Sequence, residues 1–433
     1  MSRRAASDPV ALTVVTVIFF MWGFLTVLND VLVPHLKALF ALNYAKVMLV
    51  QFTFFGAYFL MSLPAGKLVS RLGYRNGIVV GLIVAGCGAL LFYPAAQLPS
   101  YGVFLAGFFI LASGITLLQV AANPYVCLLG PKRFASSRLN LAQAFNSLGT
   151  TLAPKFGGML ILSGATLGAV ELARLPAAQQ LAYRAQQAAL VQGPYLGLAV
   201  TLFVLAALVY AFHLPPLTEA TERADHDRHT FADALRHRHL RLGVVAIFLY
   251  VGAEVAIGSF LINYIAQPDI GAMAESRAAN YVALYWGGAM LGRFFGAALL
   301  KKADARAVLG TFAALAALLV AATMLSHGMA AVWSVVAIGL FNSVMFPTIF
   351  ALGIEQMGPL TGKASSLLIM AIVGGAVVPL AQGFLADRIG VQLAFVLPLA
   401  CYLYIIFYGF RGSRLEAPAA EAAAAAQPRV FHP

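Results

Sequence analysis

A carboxylate lies inside a segment that otherwise has the composition of a membrane-spanning helix. Asp30 follows Asn29 in the run ALTVVTVIFFMWGFLTVLNDVLVPHL, and Pro34 comes one helical turn later. An ionised side chain in hydrocarbon is costly, so a residue of this kind usually has a function. Pro34 has no backbone N–H, so it leaves the Asp30 carbonyl without its helical partner and bends the helix. A group that can bind a cation, placed beside such a bend, is typical of ion-coupled transport.

Amide side chains in other apolar segments indicate a cavity for a polar ligand. Gln119 and Asn123 are four residues apart and therefore share one helix face. Gln143 and Asn146 lie close to one stripe of a later segment, together with Ser147. Each amide offers donors and an acceptor, which suits the hydroxyl groups of a sugar. The alternative is hydrogen bonding between helices, at about 1 kcal/mol per contact; for the whole cluster we favour the cavity.

The second half of the chain carries another deep carboxylate, Glu254, in the run LYVGAEVAIGSF. Tyr281, Tyr285 and Asn342 are further candidates for contact with the ligand. An aromatic ring could stack on a sugar, although aromatic residues in membrane helices more often pack or anchor at the interface. The predicted site therefore has one carboxylate in each half of the chain.

Three charged residues of the apolar runs are left out of the predicted site, because we expect them near span ends: Lys155, Arg293 and Glu355. We expect the charge of Arg293 to reach the membrane surface along its flexible stem. The three cysteines, at 87, 127 and 401, lie in apolar segments and show no metal-binding spacing. The sequence predicts no metal site and no cofactor apart from a co-transported cation, H⁺ or Na⁺.

The composition of the whole chain indicates an all-α polytopic membrane protein. Of its 433 residues, 61% are hydrophobic and 10% are charged, whereas soluble proteins have about 25% charged residues. Twelve apolar runs each reach the length of about 20 residues that spans a bilayer. They cover residues 10–36, 45–69, 76–96, 101–128, 139–163, 192–212, 242–266, 278–300, 306–326, 330–353, 364–386 and 391–410.

The net charge of +12 lies largely in short loops on alternate sides of these spans. The positive-inside rule explains this placement without a nucleic-acid partner, and it puts both termini in the cytoplasm. The bilayer is thus the first expected partner of the chain. The second is the ligand of the polar cavity.

The longest polar insert divides the spans into two sets of six. We predict an N-terminal six-helix bundle at 1–212, a cytoplasmic linker at 213–241, a C-terminal six-helix bundle at 242–411 and a disordered tail at 412–433. The linker has ten charged residues and five histidines, and its interspersed arginines favour a solvated segment over a metal site. A shorter loop around residues 173–192 is predicted to form a short external helix.

Prolines recur at corresponding positions of the spans and support a deeper repeat of three helices. Broken helices at such positions indicate a ligand site near the membrane midplane, although membrane helices also tolerate proline without a function. The residues predicted to interrupt their spans are Pro34, Pro64, Pro124, Pro154, Pro347 and Pro379.

The loop after the second span, GKLVSRLGYR, resembles the loop signature G-x-x-x-D-R-x-G-R-R of the major facilitator superfamily. Gly66, Arg71, Gly73 and Arg75 match it, while Ser70 replaces the acidic residue. We therefore expect the contact between helices that this acid makes in the family to be weaker here or made elsewhere.

Several longer segments resemble the fucose/proton symporter family within that superfamily, and especially its glucose/galactose transporter branch. The resemblance covers about residues 15–410 and is carried by FFMWGFLTVLNDVLVPHLK, QFTFFGAYFLMSLPAGKL, LLQVAANPYV, RLNLAQAFNSLGTTLAP, YVGAEVAIGSFL and FPTIFALGIEQMG. It implies twelve helices in two bundles, alternating access and cation-coupled hexose uptake across a bacterial inner membrane. Carriers of this kind generally work as monomers.

The resemblance also assigns roles to particular residues. Asp30 falls at the carboxylate associated with proton coupling, and Gln143 and Asn146 fall at positions associated with sugar contacts. Gln119 stands where the fucose-transporting members have a glutamate, which removes one protonatable group and argues against fucose. Glu254 is then a candidate second acid from the opposite half.

Other functions stay open from the sequence. The same carrier could use Na⁺, since carboxylates and free carbonyls also ligate that ion. It could also transport fucose, fructose, mannose or N-acetylglucosamine. A sugar sensor without transport would call for a large cytoplasmic output domain, which the linker and tail do not supply. A membrane enzyme would need a clustered nucleophile or metal set, which the apolar runs lack.

Overall fold

The computed structural model describes residues 9–40, 44–97, 100–161, 174–212 and 229–415, and this part contains helices and no strand. The first half forms α1 (Pro9–Leu39), α2 (Tyr44–Leu72), α3 (Tyr74–Leu90), α4 (Phe92–Gln97), α5 (Tyr101–Leu128), α6 (Ala135–Ile161) and α7 (Ala177–Ala211). The second half forms α8 (Phe231–Arg236), α9 (Arg238–Ile265), α10 (Glu275–Leu299), α11 (Ala305–Leu325), α12 (Gly328–Asn342), α13 (Met345–Gly353), α14 (Thr361–Met370), α15 (Gly374–Ile389) and α16 (Val396–Phe407).

Every predicted span corresponds to one helix or to two helices in line. The in-line pairs are α3 with α4, α12 with α13, and α14 with α15. Eleven of the spans in the described residues are long and apolar enough to cross a membrane. The remaining one, α6, is a 27-residue helix with more polar residues. Most of those polar residues are buried in the protein rather than exposed to lipid.

The helices pack as two sets, which confirms the predicted class of fold. In the first set α1 packs on α6, and α5 packs on α2 and α3. In the second set α9 packs on α15 and α16, and α12 packs on α10 and α11. The two sets meet mainly where α6 packs on α10 and where α2 packs on α14.

Side-chain contacts between the two sets reach one face of the molecule. We call it the basic face, because Lys67 near the end of α2 and Lys132 and Lys301 between helices lie there. Near it, Ser137 Oγ donates to the carbonyl of Ala297 at 2.6 Å. Gly66 on α2 also lies directly against the start of α14, where an added Cβ would meet the side chain of Ser366. The two sets are therefore in close contact at the basic face.

The signature loop after α2 forms a tight turn at this face. Gly73 has a φ of 82°, which is costly for residues other than glycine. Arg75 donates to the carbonyls of Val209 and Tyr210 at the end of α7, so it joins helices within one set. Ser70 donates to the carbonyl of Lys67 on its own helix at 2.8 Å. The missing acid is therefore not replaced by a contact of Ser70 across the molecule.

Two predicted boundaries differ from the structure. The external segment is not a separate short helix, because α7 runs unbroken for 35 residues from Ala177 through Pro194 into the sixth span. The end of the predicted linker is helical, because α8 begins after the cap of Thr230 and α9 begins at Arg238. Residues 213–228 of the predicted linker and 416–433 of the tail lie outside the described residues.

Most of the singled-out prolines do not interrupt their helices. Helical structure continues through Pro34, Pro64, Pro124, Pro154 and Pro379. A proline removes one hydrogen bond but leaves the turns on either side intact when neighbouring helices hold them. Only the tenth span is divided beside its proline, at residues 343–344, just before Pro347. The eleventh span has a 3₁₀ turn at Ala371–Val373, which precedes Pro379 by two helical turns.

Candidate functional site

The amides of α5 are buried inside the first set of helices. Gln119 is 4% exposed, and its Nε2 donates to the hydroxyl oxygen of Tyr58 on α2 at 2.7 Å. Asn123, one turn further along α5, is fully buried, and neither polar atom of its side chain has a hydrogen-bond partner among the described residues. A buried amide without partners is costly. Asn123 therefore has the hydrogen-bonding capacity that a polar ligand needs.

The amides of α6 differ in what they contact. Gln143 is 4% exposed, and its Nε2 has no hydrogen-bond partner among the described residues. Asn146 donates through Nδ2 to the carbonyl of Phe19 on α1 at 2.9 Å. Gly23 of α1 lies directly against Asn146, so these two helices touch closely at this point. Asn146 thus links α6 to α1 by a hydrogen bond, whereas the Nε2 donor of Gln143 has no partner among the described residues.

The α1 residues predicted to bind ligand and cation lie beyond that contact. Asn29 and Asp30 are part of the α1 helix, but their side chains lie outside what the structure describes. At 1.5 Å per residue, the Asp30 backbone is about 10 Å further along α1 than Gly23. Because α1 packs along α6, Asp30 is on the helix that borders the Gln143 and Asn146 stripe. The roles of both residues stay predictions.

Three tyrosines surround Asn342 at the end of α12. Its Nδ2 donates to the hydroxyl of Tyr285 at 2.8 Å, and its Oδ1 accepts from the hydroxyl of Tyr402 at 2.7 Å. Its backbone carbonyl accepts from the hydroxyl of Tyr250 at 2.9 Å. Asn342 and the tyrosines are completely buried. In this conformation, Asn342 and Tyr285 therefore bond to the protein, which favours a structural role over direct sugar contact.

Glu254 lies beside this network and faces Arg293, which was predicted from the sequence to extend to the membrane surface. The Nη2 atom of Arg293 on α10 is 3.8 Å from Oε1 of Glu254, and both side chains are nearly buried. The guanidinium also donates to Ser147 Oγ on α6 and, through Nε, to the carbonyl of Ser343 at 3.3 Å. The prediction that Arg293 extends to the membrane surface is therefore wrong. Its buried partners compensate the charge inside the protein, so it has no need to reach water.

The remaining predicted residue, Tyr281, is separate from this network. Its ring is half-buried and meets the exposed ring of Trp333 edge-on, with centroids 5.8 Å apart. That contact is the packing alternative for an aromatic residue in a membrane helix. Glu355, which was also excluded from the site, pairs with Arg306 at 2.5 Å.

Several buried contributors were not part of the site predicted from the sequence: Tyr58, Tyr250, Arg293 and Tyr402. Tyrosine in a membrane span has no pattern that separates a hydrogen-bonding role from packing. A buried arginine did give a signal, because its charge is expensive in hydrocarbon. Its partners come from three other segments of the chain, which the sequence alone does not bring together. In the described part, no group of three or more His, Cys, Asp or Glu residues is placed to hold a metal ion.

The fold and these residues define a class of protein, a helical membrane transporter with polar side chains between two sets of spans. A family model described as the Major Facilitator Superfamily matches residues 11–372. A glucose/galactose transporter of Brucella abortus is 52% identical over 404 residues, covering 93% of this chain and 94% of that protein. The L-fucose-proton symporter of Escherichia coli is 36% identical over 401 residues, covering 91% of each. The chain belongs to the Major Facilitator Superfamily.

A solved structure of that superfamily has the same arrangement of helices. It is the transporter FucP in the outward conformation, with a TM-score of 0.87 and 34% identity over 94% of this chain and 99% of that chain. The transporter class and the twelve-helix fold predicted from the sequence are thereby confirmed. The roles of the individual site residues stay predictions.

Proposed function

We propose that the chain imports a neutral hexose of the glucose/galactose type by symport with a proton. The observation that carries this proposal is the 52% identity, over nearly the whole length of both chains, to a relative with the name glucose/galactose transporter. The relatives named fucose-proton symporters support the proton as the coupling ion.

The structure supplies suitable groups for a neutral sugar in the first set of helices. Asn123 and Gln143 have buried polar atoms without hydrogen-bond partners among the described residues. Such atoms can bond to sugar hydroxyls, and their amides carry no charge that would favour an anion. We propose Asn29, Gln119 and Asn146 of the same set as further contacts, Tyr285 and Asn342 as supports in the second set, and Tyr281 as a predicted contact outside their network.

Asp30 is the proposed coupling residue. A proton that moves inward across the membrane contributes about 2.3 kcal/mol per 100 mV of membrane potential, which is enough to drive sugar accumulation. Glu254 is a second candidate for the coupling ion, although Arg293 already faces its carboxylate. We place the basic face and both termini in the cytoplasm of a bacterial inner membrane, with the protein acting as a monomer made of the two bundles and the linker.

The test is uptake of labelled hexoses into proteoliposomes under imposed proton or sodium gradients. We expect glucose and galactose to compete with each other, fucose not to compete, and a proton gradient to accelerate uptake. Acceleration by Na⁺ alone would contradict proton coupling. Competition by fucose would contradict the choice of sugar.

The role of Asp30 is tested in the same vesicles. We expect Asp30→Asn to abolish accumulation against a sugar gradient while exchange of labelled for unlabelled sugar continues. Asp269→Asn, which removes an exposed carboxylate from the loop after α9, is the matched control and should accumulate sugar normally. Unimpaired accumulation by Asp30→Asn would rule out the assigned role.

A further inference from the structure

The side chain of Arg293 joins the two sets of helices. One of its nitrogens donates to Ser147 Oγ on α6, which belongs to the first set. Another donates to the carbonyl of Ser343, at the break between α12 and α13 of its own set. The third faces the carboxylate of Glu254 on α9 at 3.8 Å. The same cation therefore contacts both sets and the broken span.

The carbonyl of Ser343 is available because of Pro347, four residues further along the chain. Proline has no N–H, so this carbonyl has no regular helical donor. The Nε of Arg293 supplies one at 3.3 Å. Pro347 was predicted to mark a functional break, and the structure shows which side chain contacts the carbonyl that it frees.

Glu254 offsets the free-energy cost of burying the Arg293 charge. A buried arginine without a counter-ion is strongly destabilising, and so is a buried glutamate without a cation. The other titratable groups that interact electrostatically with Glu254 are the hydroxyls of Tyr250, Tyr285 and Tyr402. Among the described residues acting on Glu254, Arg293 is thus the group that carries a positive charge.

We propose that Glu254 and Arg293 form a neutral pair that acts as a central latch between the two sets. Arg293 holds the first set through Ser147, and Glu254 keeps the guanidinium in place as its counter-ion. Alternating access separates the two sets at the basic face. The contact between Arg293 and Ser147 must then break, while the Glu254–Arg293 pair stays within the second set. Glu254 is then a positioning residue, and Asp30 alone carries the coupling ion. This inference rests on the proposed symport function.

The charge pair is tested with Glu254→Gln, Arg293→Gln and the double variant. Each single change leaves one buried charge uncompensated, so we expect sugar exchange to fall roughly tenfold or more. The double variant removes both charges and should recover most of the exchange. It should also still accumulate sugar against a gradient. Arg277→Gln, an exposed change on the same helix, is the control.

The outcomes of this test separate the latch from ion coupling. A double variant that exchanges sugar but does not accumulate it would make Glu254 a coupling residue and overturn the proposal. A double variant as inactive as the single variants would also overturn it, because charge compensation would then not be the function of the pair. Failure of the wild-type protein to transport any hexose would refute the proposed function instead.

The latch itself is tested without sugar, by labelling a cysteine at the interface. Ala297 is buried where α10 meets α6 near the basic face, so Ala297→Cys in a background lacking the three native cysteines should react with a maleimide when that face opens. We expect Ser147→Ala to raise the labelling rate about fivefold, the effect of one lost hydrogen bond of about 1 kcal/mol. Ser147→Thr, which keeps the hydroxyl, should restore the slow rate.

The control for this measurement is Ser334→Ala, which removes a hydroxyl bonded to the Ala330 carbonyl of its own helix. It should leave labelling unchanged. If Ser147→Ala lowers the melting temperature but labels at the wild-type rate, Ser147 has a structural role only and the latch is refuted.

Discussion

Asn342 shows how one amide can organise several helices of the second set. Its two side-chain polar atoms bond to Tyr285 and Tyr402, and its backbone carbonyl bonds to Tyr250. All four residues are inaccessible to solvent. The amide is suited to this position because it donates to one hydroxyl and accepts from another. A leucine of similar size would satisfy neither.

We expect Asn342→Ala to destabilise the protein by about 2–4 kcal/mol, because two buried hydroxyl groups lose their partner. Thermal unfolding in detergent should show a clear fall in the midpoint. Asn280→Ala, which changes an exposed amide on α10, should leave the midpoint nearly unchanged. Equal midpoints for the two variants would show that the Asn342 network does not contribute to stability.

Gln119 is a second residue whose role can be tested by exchanging one side-chain atom, the amide nitrogen, for an oxygen. Its Nε2 donates to the Tyr58 hydroxyl oxygen, and Gln119→Glu would replace that donor with a carboxylate oxygen. A carboxylate is expensive at a position only 4% exposed. We therefore expect sugar exchange by this variant to decline more steeply than wild type as the pH rises.

The measurement is sugar exchange over a series of pH values held equal on both sides of the vesicle membrane. Tyr58→Phe removes the same hydrogen bond without adding a titratable group, so it should keep the wild-type profile at a lower rate. Parallel profiles for wild type and Gln119→Glu would show that the new carboxylate stays without influence on transport.

The sequence identified the buried amides better than the buried charges. Gln119, Asn123, Gln143 and Asn146 were predicted to face the interior, and the structure buries all four. The location of the Arg293 charge was predicted wrongly, because an arginine near a span end can also extend its flexible stem to water. Its actual position depends on Glu254, Ser343 and Ser147, which lie on other segments of the chain, and their proximity is a property of the fold.

At the scale of the helices, prolines free carbonyls that distant side chains then use. Pro124 leaves the Val120 carbonyl of α5 without its regular donor, and Ser365 Oγ on α14 donates to it at 2.9 Å. Pro347 has the same relation to the Ser343 carbonyl and Arg293. Both prolines therefore free a carbonyl for a contact with another helix.

We predict that Ser365 and Pro124 are energetically coupled across the two sets. Ser365→Ala should weaken the contact and raise the labelling rate of Ala297→Cys by about fivefold, because a hydrogen bond of about 1 kcal/mol is lost. In a Pro124→Ala background, the Val120 carbonyl regains a helical donor, so the added effect of Ser365→Ala should be smaller. A double-mutant cycle measures the difference. Strictly additive effects would argue that the freed carbonyl is unimportant.

The number and order of the spans could be predicted from hydropathy, since the length of an apolar run is set by bilayer thickness. The breaks at residues 343–344 and Ala371–Val373 were not predictable to the residue. A proline restrains one residue, while packing against neighbouring helices decides whether the helix divides there. The continuation of the external segment into the sixth span, as the single helix α7, was missed for a related reason, because Pro194 is tolerated inside that helix.

At the scale of the whole molecule, the two sets touch along α2 with α14 and along α6 with α10. Contacts near the basic face involve small residues on α2 and α14, which allow close approach of the helices. With the basic face in the cytoplasm, as we propose, closure at that face agrees with the likeness to FucP in the outward conformation. Which face is closed depends on contacts between the halves, and the sequence pattern of each span does not record them.

Closure at the basic face should therefore depend on Gly66. A Cβ added there would lie 2.9 Å from the Cβ of Ser366 and 3.5 Å from the Gly362 carbonyl oxygen, so α2 and α14 would have to move apart. We expect Gly66→Ala to slow sugar exchange and to speed labelling of Ala297→Cys, because it disfavours the closed state. Gly56→Ala on the same helix has no atom within 4 Å of the added Cβ; it should leave both rates unchanged and raise helix stability by up to about 1 kcal/mol. Identical labelling rates in the two variants would mean that α2 and α14 do not control access from this face.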